Sequence, residues 1–363
     1  MPDGGSSVDG ASAGPADNNG VEMNPLKQVG ALLGKPVEAV SGAVTNALNR
    51  PAAESTPHAI ARSLRGHPSL PDAVRDKLVL ITGASSGIGE AAAIAIGAAG
   101  GTVLLVARGE EKLRATAAEV EAVGGTAHVH PCDLTDLDAI DKLVADVIAQ
   151  HGRVDILVNN AGRSIRRSLA LSYDRFHDYQ RTMQLNYFAP VRLMLGVLPG
   201  MRERSFGHVI NISSVGVLTR APRFGAYIAS KAALDTLADA WQAETKDNNV
   251  RFTTVYMSLV RTPMIAPTTL YRKFPALTPE QAAAVITEAI TDRPRRVSPA
   301  FGRFAFLADS ITPEIMDSVR SRGFKLFPDS KAAARGQEPA PAPEEELTAS
   351  GKAFLEATRG VHW

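Results

Sequence analysis

The sequence predicts a doubly wound α/β domain, a parallel sheet covered by helices on both faces, and three observations predict it. Short runs rich in β-branched residues alternate with helical patterns, which implies crossover connections. The first of those runs ends in a glycine-rich turn that opens a helix. The chain, 363 residues of which 45% are apolar, is long enough to bury a sizeable core.

In chain order, "KLVLIT" (77–82) reads as the first strand and "EAAAIAIGAAG" (90–100) as its helix. "GTVLLVA" (101–107) precedes the helical "EEKLRATAAEVEAVGG", and "AHVHP" (127–131) precedes "LDAIDKLVADVIAQHG". "VDILVN" (154–159), "GHVINIS" (207–213) and "VRFTTVYM" (250–257) complete six expected strands. The folded body is expected over 72–330. Residues 1–22 are Gly, Ser, Ala and Asp with almost nothing to bury, so they are expected to be disordered. Residues 23–71 form an amphipathic extension and linker, with Leu26, Val29, Leu33, Val37, Val40, Val44 and Leu48 at spacings of three and four around Pro36. Two readings of 25–49 stand: docking on the body or a second subunit, and lying on a membrane surface. Residues 331–363 are a Pro/Ala/Glu-rich linker and tail.

Composition excludes several classes. A net charge of +1 gives no polyelectrolyte signal, so nucleic acid is not an expected partner. One cysteine, Cys132, rules out an internal disulfide framework and a cysteine cluster for zinc, and no metal is expected. The opening "MPDGGSSVDG" has neither the basic start nor the apolar run of a secretory signal, and no apolar stretch is long enough to span a bilayer. A cytoplasmic protein is expected, with peripheral contact at the inner membrane face as the alternative.

The turn "TGASSGIG" (82–89) sets Gly83, Gly87 and Gly89 where a tight turn must let backbone N–H groups approach a pyrophosphate at a helix N-terminus. A purely structural turn is the alternative for a bare glycine pattern, but the strand before it and the helix after it supply the context for dinucleotide binding. At the end of the second strand, Ala107 stands where a carboxylate would bind the ribose 2′-OH of NAD, and Arg108 follows. NADPH is therefore the expected cofactor, the alternative being an arginine that is merely solvated.

"GAYIASKAAL" (225–234) places Tyr227 four residues before Lys231 on one helix face. A lysine cation close by favours phenolate, and moving the phenol by about three pH units takes roughly 4 kcal/mol. Alone, the pair also fits any surface helix.

Together, "TGASSGIG", "NNAG" (159–162), Asn186, Ser214 and "YIASK" resemble the short-chain dehydrogenase/reductase family in order and spacing. The resemblance implies a single Rossmann domain and a catalytic tetrad of Asn186, Ser214, Tyr227 and Lys231. Tyr227 would protonate the substrate oxygen, and Lys231 would lower its pKa and hold the nicotinamide ribose. Ser214 would hydrogen-bond the carbonyl, and Asn186 would anchor a proton-relay water. It implies cofactor contacts from Gly83, Ser85, Ser86, Gly87, Ile88, Gly89, Arg108, Asn160, Ala161, Gly162, Tyr227 and Lys231. Asp133 and Leu134 match the position that contacts adenine, and Val260 and Thr262 the segment that binds the carboxamide. Where the family has Pro-Gly, this chain has Met257 and Ser258, which puts the local backbone in doubt.

"DRFHDYQRTMQLNYFAPVRL" (174–193), "VRTPMIAPTTLY" (260–271) and "GFKLFPDS" (323–330) are similar to bacterial long-chain fatty acyl-CoA reductases of the one-domain type. That resemblance implies an acyl-CoA substrate, reduced by NADPH to the fatty aldehyde, and a homo-oligomer is expected. Residues 263–327 would supply an apolar tunnel from Met264, Ile265, Leu270, Tyr271, Phe274, Phe301, Phe304, Phe306 and Leu307, or those residues simply fill a core. Arg163, Arg166 and Arg167 would meet the CoA phosphates, or remain solvated. Two other functions stay open: a ketone or aldehyde reductase for a lipid or steroid, and a nucleotide-binding scaffold without turnover.

Overall fold

The computed structural model describes residues 68–266, 268, 271, 274–327, 329 and 333. The segments expected over 1–22 and most of 23–71, together with all of 331–363 except Ala333, lie outside the described residues, as does Leu270.

A short helix α1 (Leu70–Val74), capped by Ser69, leads into a seven-stranded, wholly parallel sheet. The strands are β1 (Leu78–Thr82), β2 (Thr102–Ala107), β3 (Thr126–Pro131), β4 (Ile156–Asn159), β5 (Gly207–Ser214), β6 (Val250–Met257) and β7 (Arg296–Val297). Their order is β3-β2-β1-β4-β5-β6-β7. All six expected strands are present, and β7 adds a seventh that is too short to read as an apolar run.

Strands β1, β2 and β4 are apolar along most of their length because both of their faces are covered. In β1, Val79 and Ile81 enter one apolar layer, with Ile96 of α2 (Gly87–Ala98), Val120 of α3 (Glu110–Ala122) and Ile286 of α9 (Pro279–Asp292). Leu80, between them, points the other way. It joins Ile140 of α4 (Leu137–His151), Leu193 of α6 (Ala189–Glu203), and Leu234 of α8 (Gly225–Thr245). Helix ends follow from local chemistry. Asp136 caps α4 by accepting from Asp138 and Ala139 N–H, and Gly152 closes it in the left-handed region. Thr278 and Gln281 form a reciprocal capping box on α9, with Pro279 in its first turn.

Strand order reverses between β1 and β4, and a doubly wound sheet binds ligands at the carboxyl ends of its strands beside such a switch. Around that edge stand α5 (Phe176–Met183), a π-helical turn (Gln184–Phe188), and the short α7 (Val215–Thr219). The C-terminal α10 (Ala300–Ile311) and α11 (Pro313–Leu326) complete it. Among the described residues, no helix is long and apolar enough to cross a membrane.

Candidate active site

The glycine turn leaves β1 with Gly83 at φ +68° and Gly87 at φ +61°, backbone that L side chains rarely adopt. Gly89 has a different reason: a Cβ there would lie 2.4 Å from the Gly83 carbonyl oxygen and 2.6 Å from Asn160 Nδ2. Ser86, the N-cap residue of α2, is exposed and makes no side-chain cap, while Ser85 and Ile88 are half-buried. Ser86 thus leaves the helix N-terminus without its own side-chain cap, but the Gly87 N–H donates to Glu90 Oε2 at 3.1 Å, so a diphosphate at this turn would meet the remaining N–H groups of the first turn.

Thr82, at the end of β1, joins this turn to the one after β4. Its hydroxyl oxygen accepts from the N–H groups of Asn160 and Ala161, each at 3.0 Å, and Asn160 Nδ2 donates to the Thr82 carbonyl at 2.9 Å. The sequence reading missed Thr82, although a polar residue ending an apolar strand beside a functional turn was a usable signal. Gly162, next along, is where Lys231 and Asn186 meet: a Cβ there would sit 3.3 Å from Asn186 Oδ1 and 3.4 Å from Lys231 Nζ.

The β2 and β3 ends supply the adenine side. Arg108 is exposed just past Ala107, and Ala107 pairs in register with Pro131. Asp133 accepts from the Thr135 N–H and hydroxyl, each at 2.9 Å, and the Thr135 N–H leads the causes that hold its carboxyl low. Leu134 turns its side chain into the apolar layer, so contact with a nucleotide there falls to its main chain. Cys132 is buried, and that burial, with Asp133 and Asp136 nearby, pushes its thiol up to about 11. It is no nucleophile at neutral pH.

The Met257-Ser258 departure now has an account. Leu277 brackets the segment after Ser258: Leu277 N–H donates to the Leu259 carbonyl at 2.8 Å, and Arg261 N–H donates to the Leu277 carbonyl at 2.9 Å. Val260 is held extended against Leu277, and Thr262 Cγ2 stands 3.0 Å from where a Gly87 Cβ would be. Val260 and Thr262 thus stand beside the glycine turn.

Asn186, Ser214, Tyr227 and Lys231 converge from three elements. Asn186 is fully buried in the π-turn; its Oδ1 accepts from Arg163 N–H at 2.8 Å, and its Nδ2 donates to the Arg163 carbonyl and Ser230 Oγ, each at 2.9 Å. That side chain is a strut, so a water would be anchored elsewhere in the turn. Ser214 ends β5, accepts from Gly216 N–H at 3.1 Å, and is hydrogen-bonded to the Tyr227 phenol. Lys231, buried one turn beyond Tyr227, donates from Nζ to the Ile212 carbonyl at 2.7 Å.

Burial sets the net direction at Tyr227. Burial raises the Tyr227 phenol above its ordinary value, Ser214 opposes that rise, and the Asp235 carboxyl adds to it. Lys231 is not among the groups that set this direction, and burial pushes its own ammonium down to about 8. At neutral pH Tyr227 therefore holds its proton, the state an acid requires.

The C-terminal segment departs further from the expected tunnel. Tyr271 is hydrogen-bonded to Arg166, its phenol is pushed up to about 12, chiefly by burial, and Tyr227 is among the groups acting on it. Its ring meets Phe274, which meets Phe327, at centroid distances of 6.2 and 5.5 Å. Phe304 and Leu307, however, are 74% and 58% exposed, and Met264 and Phe306 are also exposed. The reason is rotational: α10 turns Gly302 and Asp309 toward the body, which faces those apolar side chains outward. Arg167 is equally unavailable to CoA, since it pairs with buried Asp178 at 3.1 Å and donates to the Ala333 carbonyl. Ion pairs of Asp309 with Arg220 and of Asp329 with Arg223 tie this segment to the connection between α7 and α8, and Asp309 with Arg320 ties α10 to α11.

A parallel sheet with a glycine cradle at its switch point and a Ser-Tyr-Lys cluster beside it defines a dinucleotide-dependent oxidoreductase. The chain belongs to the short-chain dehydrogenase/reductase family: the short chain dehydrogenase family model matches residues 77–272. It is 63% identical, over 81% of this chain and 87% of the relative, to an uncharacterized oxidoreductase of Mycobacterium bovis. It is 50% identical, over 80% of this chain and 96% of the relative, to a fatty acyl-CoA reductase of Acinetobacter baylyi. Among solved structures, a metagenomic short-chain oxidoreductase in complex with NADP is 33% identical and superposes with a TM-score of 0.54. That match covers 62% of this chain and 97% of the other.

Proposed function

We propose that the protein reduces long-chain acyl-CoA to the fatty aldehyde with NADPH, releasing CoA. The observation that carries this reading is the cluster of Ser214, Tyr227 and Lys231 with a protonated phenol at its centre, in a chain whose similarity to a fatty acyl-CoA reductase spans nearly the whole of that relative. Gly83, Ser85, Ser86, Gly87, Ile88 and Gly89 would cradle the diphosphate, and Arg108 would face the 2′-phosphate. Asp133 and Leu134 would meet adenine, Asn160, Ala161 and Gly162 the inner ribose, and Val260 and Thr262 the carboxamide. When bound there, NADPH supplies the hydride.

Reduction of a thioester carbonyl leaves an alkoxide, which Ser214 would stabilise by hydrogen bonding and Tyr227 would protonate. Tyr227 then recovers that proton as the C–S bond breaks and the carbonyl re-forms. The CoA thiolate leaves and takes its proton from water. No acyl-cysteine intervenes, in accord with a buried Cys132 whose thiol stays protonated.

The test is the purified full-length protein with palmitoyl-CoA and NADPH, following NADPH oxidation, free thiol and aldehyde together. Equimolar appearance of thiol and aldehyde is expected. NADPH oxidation on ketones with no thiol from any acyl-CoA would replace this reading by a lipid ketone reductase.

A further inference from the structure

Asp235 is a buried carboxyl that the mechanism above does not use. It lies four residues beyond Lys231 on α8, on the same helix face, and is 7% exposed. Its Oδ2 accepts from Ser213 Oγ at 3.1 Å, beside Ser214, while its Oδ1 is buried with no hydrogen-bond partner. A carboxylate half-satisfied in the interior is costly, and a charge of opposite sign is what offsets it. The groups around it are Lys231, Tyr227 and Asp239 on α8, Ser213 on β5, Tyr256 on β6 and Arg296 on β7. Asp239 is occupied by Arg295 and Arg296 at the surface, so Lys231, one helical turn before Asp235 and bonded to the Ile212 carbonyl next to Ser213, is the buried cation near Asp235, acting on it through space and not as a contact ion pair.

We propose that Asp235 is a positioning residue for Lys231, its carboxylate anchored by Ser213 so that the buried ammonium stays charged beside Tyr227. The inference deepens the catalytic reading and rests on it for its kinetic arm. Lys231 needs that help because burial works against its charge, Asp235 is the group opposing the effect, and the one hydrogen bond of Nζ goes to a neutral carbonyl. Asp235 is itself raised to about 7 by burial, with Ser213 and Lys231 pulling it down, so weakening either partner discharges the pair.

The experiment compares wild type, Asp235→Asn, Asp235→Glu and Ser213→Ala as full-length proteins. Protein carrying 13Cε-lysine is titrated by NMR, with the Lys231 resonance assigned through Lys231→Met, and kcat/KM for palmitoyl-CoA is measured across the same pH range. In Asp235→Asn, Lys231 is expected to lose its proton about one pH unit or more lower. The alkaline limb of kcat/KM should move with it, a loss of about fivefold or more at pH 8 and little at pH 6. Asp235→Glu should restore the limb, and Ser213→Ala should shift it in the same direction by less. An unshifted lysine, or a loss equal at every pH, overturns the inference. Should Asp235→Asn fail to fold, Ser213→Ala decides in the same way. The lysine titration uses no substrate: a shifted lysine without thiol release defeats the acyl-CoA reading alone, and thiol release with an unshifted lysine defeats this inference alone.

Discussion

The side-chain amide of Asn186 and the peptide units flanking the Arg163 Cα exchange two hydrogen bonds, N–H to Oδ1 at 2.8 Å and Nδ2 to carbonyl at 2.9 Å. The pair welds the π-turn before α6 to the loop after β4, and Ser230 Oγ extends the weld to α8. Asn186→Ala leaves two groups, the Arg163 N–H and carbonyl, without the Asn186 partner, while Ser230 Oγ keeps its bond to the Tyr227 carbonyl. An unmet buried hydrogen bond costs about 1–3 kcal/mol, so the urea midpoint should fall by an amount equivalent to about 2–4 kcal/mol. Asn186→Asp keeps the acceptor and loses the donor, and should fall between the two.

Tyr227→Phe removes the proton donor while leaving the ring against Phe224, a contact of 6.3 Å between centroids. General-acid catalysis contributes about 10²–10⁴-fold, and kcat should fall by that order with NADPH affinity little changed. Stopped-flow or steady-state kinetics beside a fluorescence titration of NADPH check both halves.

Gly89→Ala would drive a methyl group against the Gly83 carbonyl oxygen and the Asn160 amide, both within 2.6 Å of the new atom. The turn must open, and NADPH should bind at least about tenfold more weakly, corresponding to about 1.4 kcal/mol. Calorimetric titration measures it, and binding unchanged from wild type would contradict the placement of the diphosphate.

Arg108→Ala should weaken NADPH binding about ten- to a hundredfold, as a charge-assisted contact of about 1.5–3 kcal/mol is lost, and leave NADH unchanged. Equal losses for the two cofactors would remove Arg108 from the 2′-phosphate.

His208 is buried on β5, its Nε2 2.9 Å from Thr253 Oγ1, and burial, then Arg293 and Arg251, hold its imidazole well below the ordinary value. A folded-state value below the unfolded one means that the unfolded chain binds the proton first, so stability is full above about pH 6.5 and falls as pH drops through it. His130 and His151 titrate in the same sense, burial being the main cause in both. Asp235, raised to about 7, works oppositely, losing stability as pH rises from about 4 toward 7. The contribution of His208 is therefore read as a difference: between pH 8 and pH 5 the denaturation midpoint of wild type should fall more than that of His208→Gln.

What could be read in advance depended on how local each cause is. Strands β1, β2 and β4 were legible because a parallel strand buried on both faces is written as an apolar run, as in "LVLI" of β1, while β3, β5 and β6 were legible from short runs rich in β-branched residues set between helical patterns. Arg296–Val297 was not, since two residues carry no period and the strand exists only because β6 offers an edge. Tyr227 and Lys231 were visible as neighbours on one helix, but the direction of the Tyr227 shift was not: it comes from burial, Ser214 and Asp235, and burial is not written in a spacing. Thr82 acts on residues 78 and 79 positions away, and Asp235 on a strand residue 22 positions back.

The sequence by itself determined the alternation of strands and helices, the glycine turn and the identity of the Ser, Tyr and Lys side chains, because each follows from backbone sterics or from residues within a turn or two of one another. Only the tertiary structure decided which of those groups keep their protons, that Arg167 is locked on Asp178, and that Phe304 and Leu307 face outward. Charge state and facing direction depend on what lies across the fold, and that is fixed when distant segments exclude water from one another.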